Sequence, residues 1–194
     1  QRVTVGTAWG GSDWGVVLSS DVNYDLNHTG EVNAEVFEAY ATTNLFGFAT
    51  MNVGRQALSY GSGVFVGTND WSANRNTVDG MTFAIDNDFV DLTVGMANDN
   101  DGEGHANDRM WLNASKSSGD WSANLFYGSN SENEGDDNTQ MGLDFAYSAM
   151  GGALELNVSY NTTSTDGVEG DMMDISGTYT VNDDMSLMAG RTSV

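Results

Sequence analysis

Hydrophobic and polar side chains alternate with a period of two along most of the chain. In the stretch 154–161, Leu, Leu, Val and Tyr alternate with Glu, Asn, Ser and Asn. Because successive side chains of a β-strand point to opposite faces, each such segment has one apolar and one polar face. The chain therefore predicts an all-β protein of roughly twelve antiparallel strands, each about as long as a tilted strand that crosses a bilayer.

Turn signals rich in Gly, Asn and Asp separate the alternating segments. Short signals, which predict tight hairpins, lie at 27–30, 86–88, 118–120, 150–152 and 182–184. Longer polar stretches, which predict longer loops, lie near 98–108, 129–139 and 162–170. The composition of residues 31–42 tolerates a helix, although the neighbouring segments favour a strand. We expect a single domain, 1–194, in which consecutive strands form up-and-down hairpins.

The alternation is compatible with two architectures. A soluble sandwich turns its apolar faces inward, whereas a membrane barrel turns them towards lipid and lines its lumen with polar residues. Aromatic residues near segment ends favour the barrel, because interfacial girdles lie there. They are Trp9, Trp14, Tyr24, Tyr40, Trp71, Trp121, Tyr127, Tyr147, Tyr160 and Tyr179. We predict a transmembrane β-barrel of the outer membrane of a Gram-negative bacterium, either a small closed barrel or a portion of a larger one.

Composition excludes several classes of function. The chain carries 28 Asp and Glu against 6 Lys and Arg, a formal net charge of -22, which would repel nucleic acid and anionic lipid. It has no cysteine and 2 histidines, which leaves little for a thiolate or zinc centre. No nucleophile elbow, phosphate loop or zinc-protease motif occurs, so we predict that the protein is not an enzyme.

Residues 54–83 contain a spaced set of Gly, Trp and Arg positions. The set consists of Gly54-Arg55-Gln56, then Tyr60-Gly61, Gly67 with Trp71, and Arg75 followed by Asp79-Gly80. This pattern resembles the alginate-export family of outer-membrane β-barrels over about thirty residues, beyond which only the strand rhythm agrees. The resemblance implies a β-barrel in the outer membrane.

The resemblance also implies a role for this segment. In the family, such a segment folds into the pore and presents arginine to the lumen. Here Arg55 and Arg75 would form a charge-paired constriction with Asp70 and Asp79, because a buried arginine needs carboxylate partners. The alternative is that the four residues fix a loop against the barrel wall without meeting a solute.

The acidic composition departs from that family, whose lumen is cationic to pass a polyanion. Carboxylates on the polar faces predict an acidic lumen instead. The candidate lining residues are Asp21, Asp25, Glu35, Asp91, Asp144, Glu155 and Asp174. An acidic pore attracts cations and repels anions, so we predict passive diffusion of small neutral or cationic solutes.

One acidic loop is a weak candidate for a calcium site. Asp99, Asp101 and Glu103 occupy the first, third and fifth positions of an EF-hand-like spacing, with Gly104 at the sixth. The twelfth position is Met110 instead of the usual glutamate, and a solvated acidic loop explains the residues better than a calcium site does. We therefore predict no cofactor apart from weak calcium binding at this loop.

A second function fits the same chain. An acidic, Gly- and Asn-rich β-domain could serve as a secreted subunit of a surface layer, adhesin or filament at the cell surface or outside the cell. Its charge would be screened by salt and divalent cations, and its strand edges could pair between copies. The sequence leaves this alternative, the oligomeric state and the transported solute open.

Overall fold

A computed structural model of the chain describes residues 1–24, 32–72, 75–85, 87–100, 106–131 and 137–194. It contains strands β1 to β12 in chain order and one short 3₁₀ turn at Met150–Gly152. The strands are Arg2–Gly10, Trp14–Tyr24, Val32–Leu45, Ala49–Gln56, Val78–Ile85, Asp91–Asn100, Ala106–Ser118, Trp121–Ser131, Asp137–Ala149, Leu154–Thr165, Val168–Asn182 and Met185–Ser193.

All twelve strands belong to one sheet in which each strand pairs with its neighbours in sequence. Every pairing is antiparallel, so the sheet is a continuous up-and-down meander. The predicted fold class and strand number are confirmed, and residues 32–42, for which a helix was the alternative, belong to strand β3. Among the described residues, β1 and β12 do not pair with each other, which leaves the sheet open between them. Within the same residues, no helix has the length and apolar content needed to cross a membrane.

The two faces of the sheet differ in the way that the alternation predicts. Apolar side chains on the outer face are exposed instead of packing against a second sheet, as at Leu143 (52% exposed) and Ile175 (48%). The opposite, concave face carries small polar residues and the most buried ones, among them Thr82 and Asn113. The described residues therefore form no dry core between two sheets, and the arrangement is that of a barrel wall.

The turns agree with the sequence in part. Tight turns lie between β7 and β8, around Met150–Gly152 and between β11 and β12, as predicted. The predicted long loop at 162–170 is wrong, because β10 runs to Thr165 and β11 begins at Val168. Asp166 and Gly167 close this hairpin with φ angles of 52° and 79°. Two consecutive positive φ angles match the twist of antiparallel strands, which is why Asp-Gly suits such a turn.

Candidate pore constriction

The longest described connection, between β4 and β5, turns back onto the concave face of the sheet. We call its described residues, 57–72 and 75–77, the inner segment. Val66 at its centre is 7% exposed and lies in a cluster with Ala97, Trp111 and Phe126, which belong to β6, β7 and β8. Burial of these apolar groups from water therefore holds the segment against one side of the wall.

Aromatic rings provide much of this contact. Tyr60 and Phe65 of the inner segment stack on Phe126 with ring centroids 6.1 and 5.8 Å apart. The indole Nε1 of Trp111 donates a hydrogen bond to the Tyr60 hydroxyl at 3.3 Å. Gly95 provides the space for Trp111, because a Cβ atom at Gly95 would overlap the indole ring. The cluster thus combines apolar burial with directional aromatic contacts.

Polar contacts extend this attachment to β9 and β10. The backbone N–H of Ser62 donates to Asp144 Oδ2 at 3.0 Å, and the hydroxyls of Ser62 and Ser159 lie 3.3 Å apart. Gly61 has a φ of 52°, and a Cβ atom there would overlap Asp144. Position 61 therefore requires glycine for two reasons, the positive φ angle of its backbone and its close approach to the wall.

Arg75 attaches the other end of the inner segment to the opposite side of the sheet. Its Nε and Nη2 donate to the two carboxylate oxygens of Asp21 at 2.8 and 2.7 Å, and Nη2 also donates to Thr4 Oγ1 at 3.1 Å. The guanidinium lies 3.1 Å above the ring centroid of Phe37, and Asp70 is 3.6 Å from Nη1. Because Asp21 is fully buried, this two-pronged ion pair is much less screened than a surface pair.

Arg2 reinforces the same attachment from β1. It donates to the backbone carbonyls of Ser72 and Asp70 at 3.0 and 2.8 Å, and its Nε lies 3.7 Å from Asp21 Oδ2. Thr4 Oγ1 donates to the other oxygen of Asp21 at 2.6 Å. The inner segment therefore crosses the concave side and is held at both ends.

Two ionisable groups of the inner segment keep one protonation state around neutral pH. The hydrogen bond to Asp21 raises the pKa of Arg75 above its usual value, so its guanidinium stays charged. Burial raises the pKa of Tyr60, an effect that the hydrogen bond from Trp111 opposes only in part. Tyr60 therefore stays a neutral phenol at this position.

Arg55 and Asp79, the other predicted constriction pair, lie elsewhere. They are directly opposite each other in β4 and β5, with Arg55 Nε and Nη2 2.8 and 2.6 Å from the Asp79 carboxylate oxygens. Their neighbour Gln56 is 2% exposed and accepts a hydrogen bond from Thr82 on the concave face. Because side chains alternate, Arg55 and Asp79 face outward. The predicted grouping of four is thus corrected to two separate pairs.

Six of the seven predicted lining residues lie on the concave face. Asp21 is beneath Arg75, and Glu35 is opposite Asp21 in the register of β2 and β3. Asp91, Asp144 and Asp174 line an open cavity of about 720 Å³ beside the inner segment. The sixth, Glu155, borders a smaller pocket nearer the short turns, together with Ser122 and Asn157.

The side chains of the remaining predicted site residues lie outside the described part of the structure. Asp25, Asp101 and Glu103 lie outside the described residues, and for Asp99 the structure describes only the backbone, in β6. Within the described part of the chain, no three Asp, Glu, His or Cys side chains are grouped so that they could hold a metal ion. The calcium site therefore stays a prediction.

Several residues of this site were missed by the sequence reasoning, although a signal was present. Trp111 and Phe126 occupy the polar faces of their strands, where Asn, Ser and Gly are the neighbours in the alternation. A large aromatic side chain on a lumen-facing row needs an apolar partner inside the barrel, and the inner segment provides it. No pattern in the sequence indicated that Arg2, Thr4 and Phe37 would contact the Arg75 end of the inner segment.

A polar concave face, an exposed apolar outer face and an inner segment across the concave side together define a porin-like β-barrel fold. The chain is similar to a solved structure described as the low-pH structure of Pseudomonas putida OprB. The TM-score is 0.59 and the sequence identity 13%, over 100% of this chain and 70% of that chain. At this identity the likeness concerns the fold alone.

The sequence comparisons give no family. No protein-family model matches the chain. No curated protein sequence matches it either. The barrel fold implied by the alginate-export resemblance is confirmed, whereas membership of that family stays a prediction.

Proposed function

We propose that the protein is an outer-membrane porin, a non-enzymatic channel for passive diffusion of small solutes. The observation that carries the proposal is the inner segment, which is attached at Val66 and at Arg75 to different sides of the concave face. A segment held in this way narrows the water-filled path and sets the size of the solutes that pass. OprB, whose fold this chain shares, is an outer-membrane porin, which supports the same location and class.

Charge on the concave face supports a preference for cations. The carboxylates of Asp91, Asp144 and Asp174 line the cavity, whose described wall includes one cationic side chain, Lys116. At the constriction Arg75 and Arg2 are offset by Asp21 and Asp70, so this point adds little net charge. Within a low-dielectric wall, uncompensated carboxylates concentrate cations and exclude anions.

The cavity lies on the short-turn side of the inner segment. Its wall includes Asp91, Ser117 and Ser122, which are close to the short connections that follow β5 and β7. In outer-membrane barrels the short turns face the periplasm and the longer connections face outward. We therefore assign the acidic cavity to the periplasmic half of the pore, below the constriction.

Ion preference tests this function directly. With the purified protein in a planar bilayer between unequal KCl concentrations, we expect a reversal potential of the sign that marks K⁺ as more permeant than Cl⁻. Raising the salt concentration on both sides should reduce the preference, because the carboxylates are then screened. A preference for Cl⁻ would contradict the acidic-lumen mechanism, and a lack of conductance would contradict the porin function itself.

The orientation of the faces gives a second test, at two adjacent residues in the middle of β11. Ile175 faces outward and is 48% exposed, whereas Ser176 lies on the concave side. We expect Ile175→Arg to destabilise the folded protein in lipid by about 2–4 kcal/mol, as charged residues do on the lipid face near the bilayer centre. Urea unfolding in lipid vesicles measures this difference.

Ser176→Arg is the matched control, since it introduces the same side chain one position away. It should change the free energy of unfolding little and should shift the ion preference towards anions. Equal destabilisation by both substitutions would contradict the assignment of outer and inner faces. A protein that stays soluble without detergent would instead support the secreted surface subunit.

A further inference from the structure

Three polar side chains on the consecutive strands β7, β8 and β9 line the wall of the acidic cavity. Asn124 of β8 is directly opposite Asp144 of β9, and Asn113 of β7 is opposite Phe126, two residues from Asn124 along β8. All three line the cavity beside Tyr60, Ser62 and Ser159. The arrangement is therefore continuous with the proposed solute path.

Each of these three side chains has one buried polar atom without a hydrogen-bond partner. The atoms are Asn113 Oδ1, Asn124 Nδ2 and Asp144 Oδ1. Asn113 is only 6% exposed, while the second oxygen of Asp144 is already used by the Ser62 backbone. Buried polar groups are normally partnered, so three unpartnered atoms in one wall leave hydrogen-bonding capacity that an occupant can use.

The two Asn side chains can present this capacity to the cavity without moving the backbone, whereas turning Asp144 only exchanges which of its oxygens meets the Ser62 N–H. The last side-chain torsion of Asn and Asp is soft and roughly two-fold, so the amide or carboxylate group turns easily about it. A turned amide still offers one oxygen acceptor and one N–H donor. The set therefore comprises a carboxylate oxygen, amide acceptors and amide donors in one wall of the cavity.

The chemistry of this set favours a positively charged organic solute. Two acceptors, one of them a carboxylate, suit the several N–H donors of an ammonium group. The amide donor beside them suits a hydroxyl or carbonyl oxygen of the same solute. Calcium prefers six to eight oxygen ligands, and the described residues offer no cluster of three carboxylate or imidazole groups. An anion would be repelled by Asp91, Asp144 and Asp174.

We infer that Asn113, Asn124 and Asp144 form a binding subsite for small ammonium ions that carry a hydroxyl or carbonyl oxygen. The ammonium group donates to Asp144 Oδ1 and Asn113 Oδ1, and the oxygen accepts from Asn124 Nδ2. Tyr60 in the same wall provides an aromatic surface that is favourable for a cation. The inference rests on the proposed porin function, since it names a solute class for that pore.

Binding can be measured without ion flow. With the protein in detergent micelles, saturation-transfer NMR is recorded for three solutes of similar size: protonated ethanolamine, neutral ethylene glycol and anionic glycolate. We expect saturable binding of ethanolammonium and weaker or no binding of the other two. Equal signals from ethanolammonium and ethylene glycol would overturn the inference.

Asp144→Asn changes the unpartnered oxygen while keeping the shape of the side chain and an acceptor for Ser62. It should weaken ethanolammonium binding about tenfold, the effect of losing one charge-assisted hydrogen bond. Asp183→Asn, in the exposed turn between β11 and β12, removes the same charge at a distance and should leave binding unchanged. If both variants bind as the unmodified protein does, the subsite is refuted.

A second variant covers the case in which Asp144→Asn does not fold. Asn113→Asp adds a carboxylate at the other acceptor and should tighten ethanolammonium binding, and a loss of binding would contradict the assignment. Planar-bilayer recordings separate this inference from the porin function. Conductance without ethanolammonium binding refutes the subsite alone, whereas binding without conductance refutes the pore and leaves the subsite.

Discussion

The Arg75→Ala variant is expected to conduct several times more current per channel than the unmodified protein. Arg75 attaches the inner segment to Asp21 through two hydrogen bonds of 2.8 and 2.7 Å. Without the guanidinium, this end of the segment loses its ion pair with Asp21 and its contact with Phe37, and it keeps the hydrogen bonds from Arg2 to the Ser72 and Asp70 carbonyls. The segment can then move away from the wall, so the open cross-section widens. Single-channel recording in a planar bilayer measures the change.

The same substitution should also lower stability. Asp21 is fully buried, and removing one partner of a buried ion pair typically costs about 3–5 kcal/mol. We expect a value near the lower end, because Arg2 and Thr4 remain close to the Asp21 carboxylate. Unchanged conductance together with lowered stability would mean that the inner segment does not limit flow.

Arg55→Ala is the matched control for this experiment. It breaks an arginine–aspartate pair of similar length, but the Arg55 and Asp79 side chains are 40% and 54% exposed and face outward. An exposed pair contributes about 0–1 kcal/mol, so stability should change little. Conductance should stay the same, because the pair lies outside the lumen. A conductance change as large as that of Arg75→Ala would instead favour the original grouping of four residues at the constriction.

Trp111→Ala is expected to be the most destabilising substitution at the other attachment. The indole is 6% exposed, packs in the cluster with Val66 and donates to the Tyr60 hydroxyl. Truncating a buried tryptophan to alanine typically costs about 3–5 kcal/mol through lost burial and the cavity left behind. Because the cavity opens directly beneath the inner segment, we also expect larger current fluctuations. Urea unfolding and current-noise analysis measure the two effects.

Trp71→Ala controls for the loss of an indole from the same region of the protein. Trp71 belongs to the inner segment but is 98% exposed, so its removal should change the free energy of unfolding by less than about 0.5 kcal/mol. Similar destabilisation by both substitutions would show that the cluster around Val66 does not hold the segment.

The strands and their two faces were predictable because they follow from local alternation. Apolar side chains at positions such as Leu143 and Ile175 recur every second residue, which assigns them to one face before any contact is known. The two-residue turn at Asp166 and Gly167 was missed although Asp-Gly signals it. The polar residues on either side made that stretch resemble a longer loop.

The constriction was predictable only in part. The resemblance at 54–83 indicated that this segment enters the lumen, and Arg75 and Asp70 were among its expected residues. The partner that matters most, Asp21, is 54 residues away from Arg75 in the chain, and no local pattern relates the two. Arg55 was misplaced because one position along a strand decides whether a side chain faces the lumen or the outside.

The sequence by itself determined the all-β class, the approximate strand number and the alternation of two faces along each strand, because each depends on neighbours within a few residues. The tertiary structure decided which arginine reaches the concave side, which aromatic residues receive the inner segment and which polar atoms in the cavity wall lack partners. These outcomes depend on how far the sheet curves and where a long connection folds back onto it. Such contacts join residues distant in sequence, so the alternation within a single strand does not predict them.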